Sequence, residues 1–413
     1  MFHILYVFIC FSLFFFSVIK GEKNNFAFQL ITLYYLVLRF FTAGESHGRG
    51  IFVIVDGFPA GVRVDLDYIN HLLRLRQGGY GRGGRQKIEQ DEADILSGIR
   101  NGVTMGSPIL IAVWNRDVRD MKASYVPRPG HSDLAGAFKY GIKDTRFISE
   151  RASARETAGR VAAGALCELL LKNFGIEFIS FVVEIGGVRA NVPEKFDYDE
   201  MRRKIEQSEL YTPDEEAEKK MKEMIDLARR KKDTLGGIFE VRVKGVPPGL
   251  GSHSQWDRKL DGKIAQALMS IQAIKGVEIG LGFESARRFG SQVHDEILIE
   301  NGKIKRASNR AGGIEGGMSN GCEIVVRAAM KPISTLYSPL RSVNLKDMRE
   351  EPALVDRSDI CAVPAASVVG RSAVAVEIAK AFLEKFGGDS LNEIKSNYES
   401  FLRQIEDPSL WLE

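Results

Sequence analysis

The sequence repeats one plan, in which a short strand-forming segment ends at glycine and a long apolar segment follows. Residues 51–55 and 176–187 are typical of buried strands because they are rich in β-branched residues and bounded by turn formers. Residues 156–174, rich in Ala and Leu, and residues 365–386, rich in Ala and Val, predict largely buried helices. This plan predicts α/β or α+β layers in one large domain.

The composition supports a globular chain with an ordinary core. Hydrophobic residues make up 44% of the 413 residues and charged residues 27%, which excludes a disordered chain. The 57 basic residues nearly balance the 54 acidic ones, so attraction for acidic ligands has to come from local clusters. Four cysteines are scattered without a paired motif, which indicates a reducing compartment and argues against a zinc site.

The first 38 residues differ from the rest of the chain. Residues 4–19 are almost continuously apolar, and residues 26–38 form a second apolar run. A signal peptide and a membrane anchor are two interpretations, but a basic start and a small-residue cleavage site are missing, and the first run is short for a membrane span. We favour a third interpretation, a misplaced start, with residues 39–413 as the folded protein.

Two histidines lie among residues suited to binding anions and moving protons. His131 is framed by Pro and Gly within residues 125–157, which also contain several arginines and small hydroxyl residues. His47 lies in the glycine-flanked segment 42–48. Histidine titrates near neutrality, and neighbouring glycines let a ligand approach the backbone. For His47 the alternative is a loop histidine that is hydrogen-bonded to backbone.

A glycine-rich segment at residues 76–85 carries Arg76, Arg82 and Arg85. Backbone amides and forked guanidinium groups together bind carboxylate or phosphate. A flexible, solvated loop is the alternative. Such segments also bind single-stranded RNA, but here the segment is single and embedded in a globular chain, which argues against that role.

Two later segments complete the candidate site. Residues 309–321 are dense in glycine and precede Lys331 and several hydroxyl residues, which suits a phosphate or a flat ligand; a long β-hairpin is the alternative. Asp359 lies on the approach to the helix predicted at 365–386, where capping that helix is its alternative role. Neither a P-loop nor a dinucleotide-binding motif is present. The residues therefore predict an enzyme for a small, multiply anionic substrate, with His47 and His131 as acid/base candidates.

The sequence resembles the chorismate synthase family in eight motifs, which occur in family order from about residue 39 to the C-terminus. They are TAGESHG at 42–48, RQGGYGRGGR at 76–85, RPGH at 128–131, SARET at 153–157, KGVEIGLGF at 275–283, GGMSNG at 316–321, MKPI at 330–333 and RSD at 357–359. Each motif alone is a weak signal, but their combination is specific.

The resemblance implies the 1,4-elimination of phosphate from 5-enolpyruvylshikimate 3-phosphate, which gives chorismate for aromatic amino acid biosynthesis. It implies reduced FMN as cofactor, without net redox change, and a cytoplasmic homotetramer with a β-α-β sandwich fold. Since nothing resembles an appended flavin reductase domain, we expect an external flavin-reducing system, with NADPH as the associated reductant. A metal, a nucleic acid or a membrane is not among the expected partners.

The resemblance also implies roles for individual residues. His47 would protonate the leaving phosphate, His131 would protonate or stabilise the reduced flavin, and Asp359 would act with flavin N5 to take the substrate proton. The expected substrate-binding residues are Arg76, Arg82, Arg128, Arg155 and Arg357. The expected FMN-binding residues are Arg151, Ser153, Gln272, Ala273, Gly316, Lys331, Ser334, Thr335 and Arg357. The sequence departs from the family pattern at Gln272, where many members have Asn, and at Ile360, where Pro is frequent. A non-catalytic RNA- or anion-binding module is the alternative function.

Overall fold

The computed structural model describes residues 38–84, 88–356 and 358–407. The apolar segment 1–37, and with it the proposed misplaced start, lies outside the described residues, so that hypothesis stays a prediction. Arg85 and Arg357, two of the arginines singled out above, also lie outside them. Among the residues that are described, no helix has both the length and the apolar character needed to cross a membrane.

Helices begin where the sequence supplies side-chain caps. The helices are α1 (Leu66–Gln77), α2 (Asp133–Tyr140), α3 (Arg146–Ala152), α4 (Thr157–Lys172), α5 (Tyr198–Gln207), α6 (Glu215–Lys231), α7 (Leu260–Met269), α8 (Val363–Phe386) and α9 (Leu391–Glu406). Asp65, Asp197 and Asp214 accept backbone hydrogen bonds at the starts of α1, α5 and α6. Ser390 and Glu393 form a capping box at the start of α9. The buried helices predicted at 156–174 and 365–386 are confirmed as α4 and α8.

The strands form two main sheets and several short hairpins. The strands are β1 (Arg39–Gly44), β2 (Gly50–Asp56), β3 (Ala93–Ile95), β4 (Ile99–Arg100), β5 (Val103–Thr104), β6 (Ile109–Trp114), β7 (Glu177–Ile185), β8 (Val188–Arg189), β9 (Gly237–Lys244), β10 (Ile274–Ile279), β11 (Ile297–Glu300), β12 (Lys303–Arg306), β13 (Ile314–Glu315), β14 (Met318–Ser319), β15 (Ile324–Met330), β16 (Arg341–Asn344) and β17 (Arg349–Pro352). One sheet has the order β1-β2-β6-β3 and the other β10-β15-β9-β7-β8. Neighbouring strands within both sheets are antiparallel. Of the two fold classes predicted, the structure is therefore α+β.

Two helices join the sheets through one core. Helix α4 packs against β2 and β6 of the first sheet, α8 packs against β7 and β9 of the second, and the two helices pack on each other. A Cβ atom at Gly164 of α4 would lie 2.4 Å from the Ser372 Cβ of α8, so this close approach requires glycine. The first sheet carries the loop of His47, and α4 follows the arginine-rich segment 146–155. The core thus fixes the elements that bear the predicted site.

Candidate active site

A buried carboxylate, that of Asp91, holds two of the arginines predicted to bind anions. Arg76 Nη2 donates to Asp91 Oδ2 at 2.9 Å, and Arg155 Nη1 donates to Asp91 Oδ1. Gln77 Oε1 accepts a hydrogen bond from the Asp91 backbone N–H at 2.9 Å, which anchors the carboxylate to the end of α1. Burial lowers the pKa of Arg76 to about 10, against the opposing effect of Asp91, so the guanidinium stays charged at neutral pH.

Arg155 is connected to the histidine loop through Asn115, at the end of β6. Arg155 Nε donates to Asn115 Oδ1 at 2.7 Å. The Asn115 Nδ2 group lies 2.8 to 3.1 Å from the carbonyl oxygens of residues 45, 46 and 48, on both sides of His47. The loop therefore folds around one amide side chain, whose other end fixes an arginine.

The His47 ring is paired with a carboxylate from α3. Its Nδ1 lies 3.0 Å and 3.1 Å from the two carboxylate oxygens of Glu150, and the His47 backbone N–H donates to Glu150 Oε2 at 2.8 Å. Burial alone would raise the pKa of Glu150, but the hydrogen bonds from His47 lower it below its usual value. On the other side of the ring, Nε2 lies 3.4 Å from Arg119 Nη2 and 3.9 Å from Asp117 Oδ2. The ring partner is thus a carboxylate, and not only backbone as in the alternative interpretation.

Asp359 joins the loop before α8 to the glycine-rich loop. Its Oδ1 accepts a hydrogen bond from the Gly83 backbone N–H at 2.6 Å, and its Oδ2 lies 3.1 Å from Arg82 Nε. The alternative role in helix capping is wrong, since α8 has Ala362 at its N-cap and no side-chain cap. The solvated-loop interpretation is also wrong for Arg82, because only 9% of its side chain is exposed.

A further arginine, Arg146, closes these contacts into a ring of residues. This ring runs from His47 through Glu150, Arg146, Asp356, Asp359, Arg82, Arg76, Asp91, Arg155 and Asn115 back to the His47 loop. Its Nη1 donates to Asp356 Oδ2 at 2.9 Å, and Asp356 lies in the same loop as Asp359. Arg146 is one helical turn before Glu150 on α3, and its charge helps to lower the pKa of Glu150. Arg82 Nη1 lies 3.5 Å from the carbonyl oxygen of Arg76. The structure therefore brings His47 and Asp359 together with the predicted arginines at 76, 82 and 155.

His131 belongs to a second group of side chains, organised by Asp133 at the start of α2. His131 Nδ1 is 2.5 Å from Asp133 Oδ1, and Arg128 Nε donates to Asp133 Oδ2 at 2.8 Å. Arg128 Nη1 also lies 3.4 Å from Thr335 Oγ1. Burial would raise the pKa of Asp133, yet the hydrogen bonds from His131 and Arg128 hold it far below its usual value. Asp133 therefore remains a carboxylate between a histidine and an arginine.

The predicted phosphate-binding residues lie beside the His131 segment. Lys331 Nζ donates to the Gly130 carbonyl oxygen at 2.6 Å, and the Lys331 backbone N–H donates to the Ala273 carbonyl oxygen at 2.9 Å. A Cβ at Gly130, which has φ +77°, would lie 3.2 Å from Lys331 Nζ and 3.7 Å from Ser334 Cβ. Burial and the nearby Lys275 lower the pKa of Lys331. The positive φ of Gly130 favours glycine at this position, and the absence of a side chain lets the Lys331 amine approach the backbone closely.

Glu156, just before α4, connects further residues of the predicted flavin site. Arg151 Nη2 donates to the carbonyl and hydroxyl oxygens of Thr42 at 2.9 Å and 2.8 Å, and the Thr42 hydroxyl donates to Glu156 Oε1 at 2.7 Å. Gln272 Nε2 donates to Glu156 Oε2 at 3.3 Å, while Gln272 Oε1 is buried with no hydrogen-bond partner in the described part of the chain. Since α3 carries both Arg151 and Glu150, this chain of contacts meets the ring around His47.

Ser153 and Gly316, both predicted to bind flavin, lie in different parts of the structure. Ser153 Oγ accepts a hydrogen bond from the Arg155 backbone N–H at 3.2 Å, which places it at the junction of α3 and α4. Gly316 lies in the β13–β14 hairpin, where its carbonyl oxygen lies 3.4 Å from Lys259 Nζ. In the part of the chain that the structure describes, the contacts given above do not join Gly316 to the other predicted residues.

Sequence reasoning missed several polar residues of the site, among them Asp91, Asn115, Asp133, Arg146 and Glu150. Asp133 had a usable signal, because it follows His131 by two residues in a segment already assigned to a site. Glu150 and Arg146 lie in the same segment, but their partners are about a hundred or more positions away. Asp91 and Asn115 lie beside short strands and carry no local pattern that separates them from ordinary loop residues.

Comparisons with known proteins agree on one family. The family model described as chorismate synthase matches residues 38–383. The chorismate synthase of Geobacter sulfurreducens is 53% identical over 391 residues, covering 89% of this chain and 99% of the relative. That of Caldicellulosiruptor bescii is 54% identical over 381 residues, with the same two coverages. A crystal structure of chorismate synthase is 47% identical with a TM-score of 0.74, covering 89% of this chain and 98% of that one.

Replacing Asp91 by Asn should destabilise the fold, because Arg76 and Arg155 would then remain buried with only a neutral partner between them. We expect the free energy of unfolding to fall by roughly 3 kcal/mol, as for other buried pairs that lose one charge. Urea unfolding followed by circular dichroism measures the change. The control is Glu216→Gln, which removes an exposed pair with Lys219 and should change stability by less than about 0.5 kcal/mol. Equal effects of the two substitutions would contradict the prediction.

Asp133 should make a pH-dependent contribution to stability. The pKa of Asp133 is lower in the folded protein than the ordinary value of about 3.9. The stabilisation that Asp133 provides is therefore complete when the pH is above the ordinary pKa, and it is lost as the pH falls toward the pKa of the folded protein. The difference in unfolding free energy between wild type and Asp133→Asn should therefore be larger at about pH 5 than near about pH 3. Urea titrations at these pH values test this, and a difference that does not vary with pH would refute it.

Proposed function

The chain belongs to the chorismate synthase family and converts 5-enolpyruvylshikimate 3-phosphate to chorismate in the shikimate pathway, and we propose that it does so at the ring of residues around His47 and Asp359. The observation that carries this proposal is the convergence of these two residues with Arg76, Arg82 and Arg155. The first and last members of the set are separated by most of the chain. A proton donor, a carboxylate and three guanidinium groups together match a substrate with two carboxylates and a phosphate.

The arginines of the ring bind and orient the substrate in this proposal. Asp91 fixes the guanidinium planes of Arg76 and Arg155 before a ligand arrives, so little reorganisation is needed on binding. His47 gives its proton to the leaving phosphate, which requires a donor within hydrogen-bond reach of that oxygen. Asp359, held by the Gly83 backbone N–H and by Arg82, serves as the carboxylate that takes part in removing the substrate proton.

Reduced FMN is the cofactor that we propose, and the residues around His131 and Glu156 fit it. Among the described residues, the buried Gln272 Oε1 has no hydrogen-bond partner, so it can accept a hydrogen bond from a flavin N–H. Lys331, Ser334, Thr335 and Arg151 supply cations and hydroxyl groups suited to a phosphate. When bound, reduced FMN supplies an electron transiently to the reaction without net redox change. Asp133 holds His131 by Nδ1, so that the ring keeps a fixed orientation toward this site.

We also propose that the two sheets and the α4–α8 helix pair form the β-α-β sandwich of the family. In the same proposal, the enzyme is a cytoplasmic homotetramer and depends on an external flavin-reducing system. The hairpin of β11 and β12 supports the assembly, because it exposes 68% of Ile297, 80% of Ile299 and 61% of Ile304. Apolar side chains clustered at the surface are typical of interfaces.

The RNA- or anion-binding alternative has no support in the structure. Only 6% of the Arg76 side chain and 9% of the Arg82 side chain are exposed, so neither lies on an open surface that an extended nucleic acid backbone could follow. The Arg/Gly loop is instead part of the ring.

Anaerobic turnover with chemically reduced FMN and the enolpyruvyl substrate tests the proposed function. We expect chorismate from the wild type, and a fall in kcat of about 10²- to 10⁴-fold for His47→Ala and for His131→Ala. His71→Gln is the matched control, because His71 is half-exposed on α1 and pairs with Glu206, away from the ring. If FMN binds but the wild type forms no chorismate, the proposed function is wrong.

Sedimentation velocity tests the proposed assembly. The double substitution Ile299→Lys and Ile304→Lys should dissociate the tetramer, since it places charges in the apolar face of the hairpin. Lys303→Gln, at the turn of the same hairpin, should leave the mass unchanged. A monomeric wild type would overturn the assembly proposal without touching the assigned reaction.

A further inference from the structure

We propose that Glu150 is a positioning residue for the reaction. It fixes the His47 imidazole with a hydrogen on Nδ1 and balances the charge of the doubly protonated imidazole. Nε2 is then left to deliver the proton. The inference rests on the proposed role of His47 as the acid. It concerns a residue on α3 to which neither the sequence motifs nor the resemblance assigns a role.

The contacts between Glu150 and the His47 loop are unusually complete. Both carboxylate oxygens are within 3.1 Å of Nδ1, and one of them also accepts the His47 backbone N–H at 2.8 Å. The Glu150 backbone carbonyl oxygen accepts the Ser46 N–H at 3.0 Å. Since a carboxylate can only accept, Nδ1 has to carry a hydrogen, which fixes the tautomer of the neutral ring. One residue therefore sets the position, the rotation and the protonation pattern of the imidazole.

The charges around the ring make Glu150 its principal counter-ion. Asp117 Oδ2 lies 3.9 Å from Nε2, beyond hydrogen-bond distance, and Arg119 Nη2 approaches the same nitrogen at 3.4 Å. Arg146 lies on the far side and lowers the pKa of Glu150, so the carboxylate stays ionised through the neutral range. Only 13% of the His47 side chain and 17% of the Glu150 side chain are exposed, so solvent weakens their attraction little.

The proton balance of the step follows from this arrangement. The Nε2–H bond breaks and an O–H bond forms on the departing phosphate, while the electron pair of the broken bond stays on Nε2. The neutral imidazole keeps its hydrogen on Nδ1, which stays hydrogen-bonded to Glu150. Water then restores the proton at Nε2. Glu150 is not protonated at any stage. It orients the imidazole and stabilises its charged form, as the carboxylate does in other histidine–carboxylate pairs.

Glu150→Gln tests the inference, because the amide keeps the shape and one acceptor oxygen but loses the charge. We expect kcat to fall by about 10- to 10³-fold with KM changed by less than about threefold, since the acid acts in the transition state. We also expect the basic limb of the pH profile to move to lower pH, because the doubly protonated ring loses its counter-ion. Glu150→Asp keeps the charge and should restore the wild-type pH profile even if kcat stays low.

A matched control and a double-substitution cycle separate positioning from a structural role. Glu206→Gln removes the carboxylate of the other histidine–glutamate pair, at 3.3 Å from His71 Nε2, and should leave both kcat and the pH profile unchanged. In a His47→Gln background, Glu150→Gln should cause little further loss, because the residue acts through the imidazole.

Three results would overturn the inference: an unchanged pH profile in Glu150→Gln, an equal loss of kcat with and without His47, or wild-type kcat in the variant. If Glu150→Gln does not fold, Glu150→Asp decides the question, since a displaced pH profile in that variant contradicts the proposal. These failures are distinct from failure of the proposed function, which would appear as an inactive wild type.

Discussion

The site depends on one buried carboxylate shared by two guanidinium groups. Arg76 and Arg155 come from α1 and from the junction of α3 with α4, and both would be costly to bury without a counter-charge. Asp91 supplies that charge and fixes the plane of each guanidinium. A protein that must bind a multiply anionic ligand has to keep cations together in its absence, and a shared carboxylate does so without solvent reorganisation. The arginine positions are therefore set by the fold and not by the ligand.

The short helix α3 and the turn after it connect both halves of the site. Within ten residues, Arg146 pairs with the loop before α8, Glu150 with His47, Arg151 with Thr42 and Arg155 with Asp91. Successive residues of a helix point in different directions, so a short helix can contact several neighbours at once. Because α4 follows directly and packs in the core, this segment is tied to the most rigid part of the molecule.

Sequence reasoning predicted the buried helices, the two histidines and the arginines, since each rests on a local pattern. It left α/β and α+β open, because the direction of strand pairing is not encoded in a strand's own apolar pattern; the antiparallel pairs decide it. It missed Asp91 and Glu150 because a carboxylate that pairs with a residue 64 or 103 positions away leaves no local signature. Asp359 was recognised, but its capping alternative failed, since α8 starts at an apolar residue and gains its stability from burial.

Asn115 joins the proposed anion-binding residue Arg155 to the loop of the proposed proton donor, His47. Its amide oxygen accepts from Arg155 Nε, and its amide nitrogen faces three carbonyl oxygens of the His47 loop. An amide is suited to this place because it accepts at one end and donates at the other; a carboxylate would face the carbonyl oxygens with like charge. Any movement of the Arg155 guanidinium toward a bound anion therefore acts on the side chain that shapes the His47 loop. The fold sets the distance between Arg155, the proposed substrate-binding group, and His47, the proposed acid, through a single buried residue.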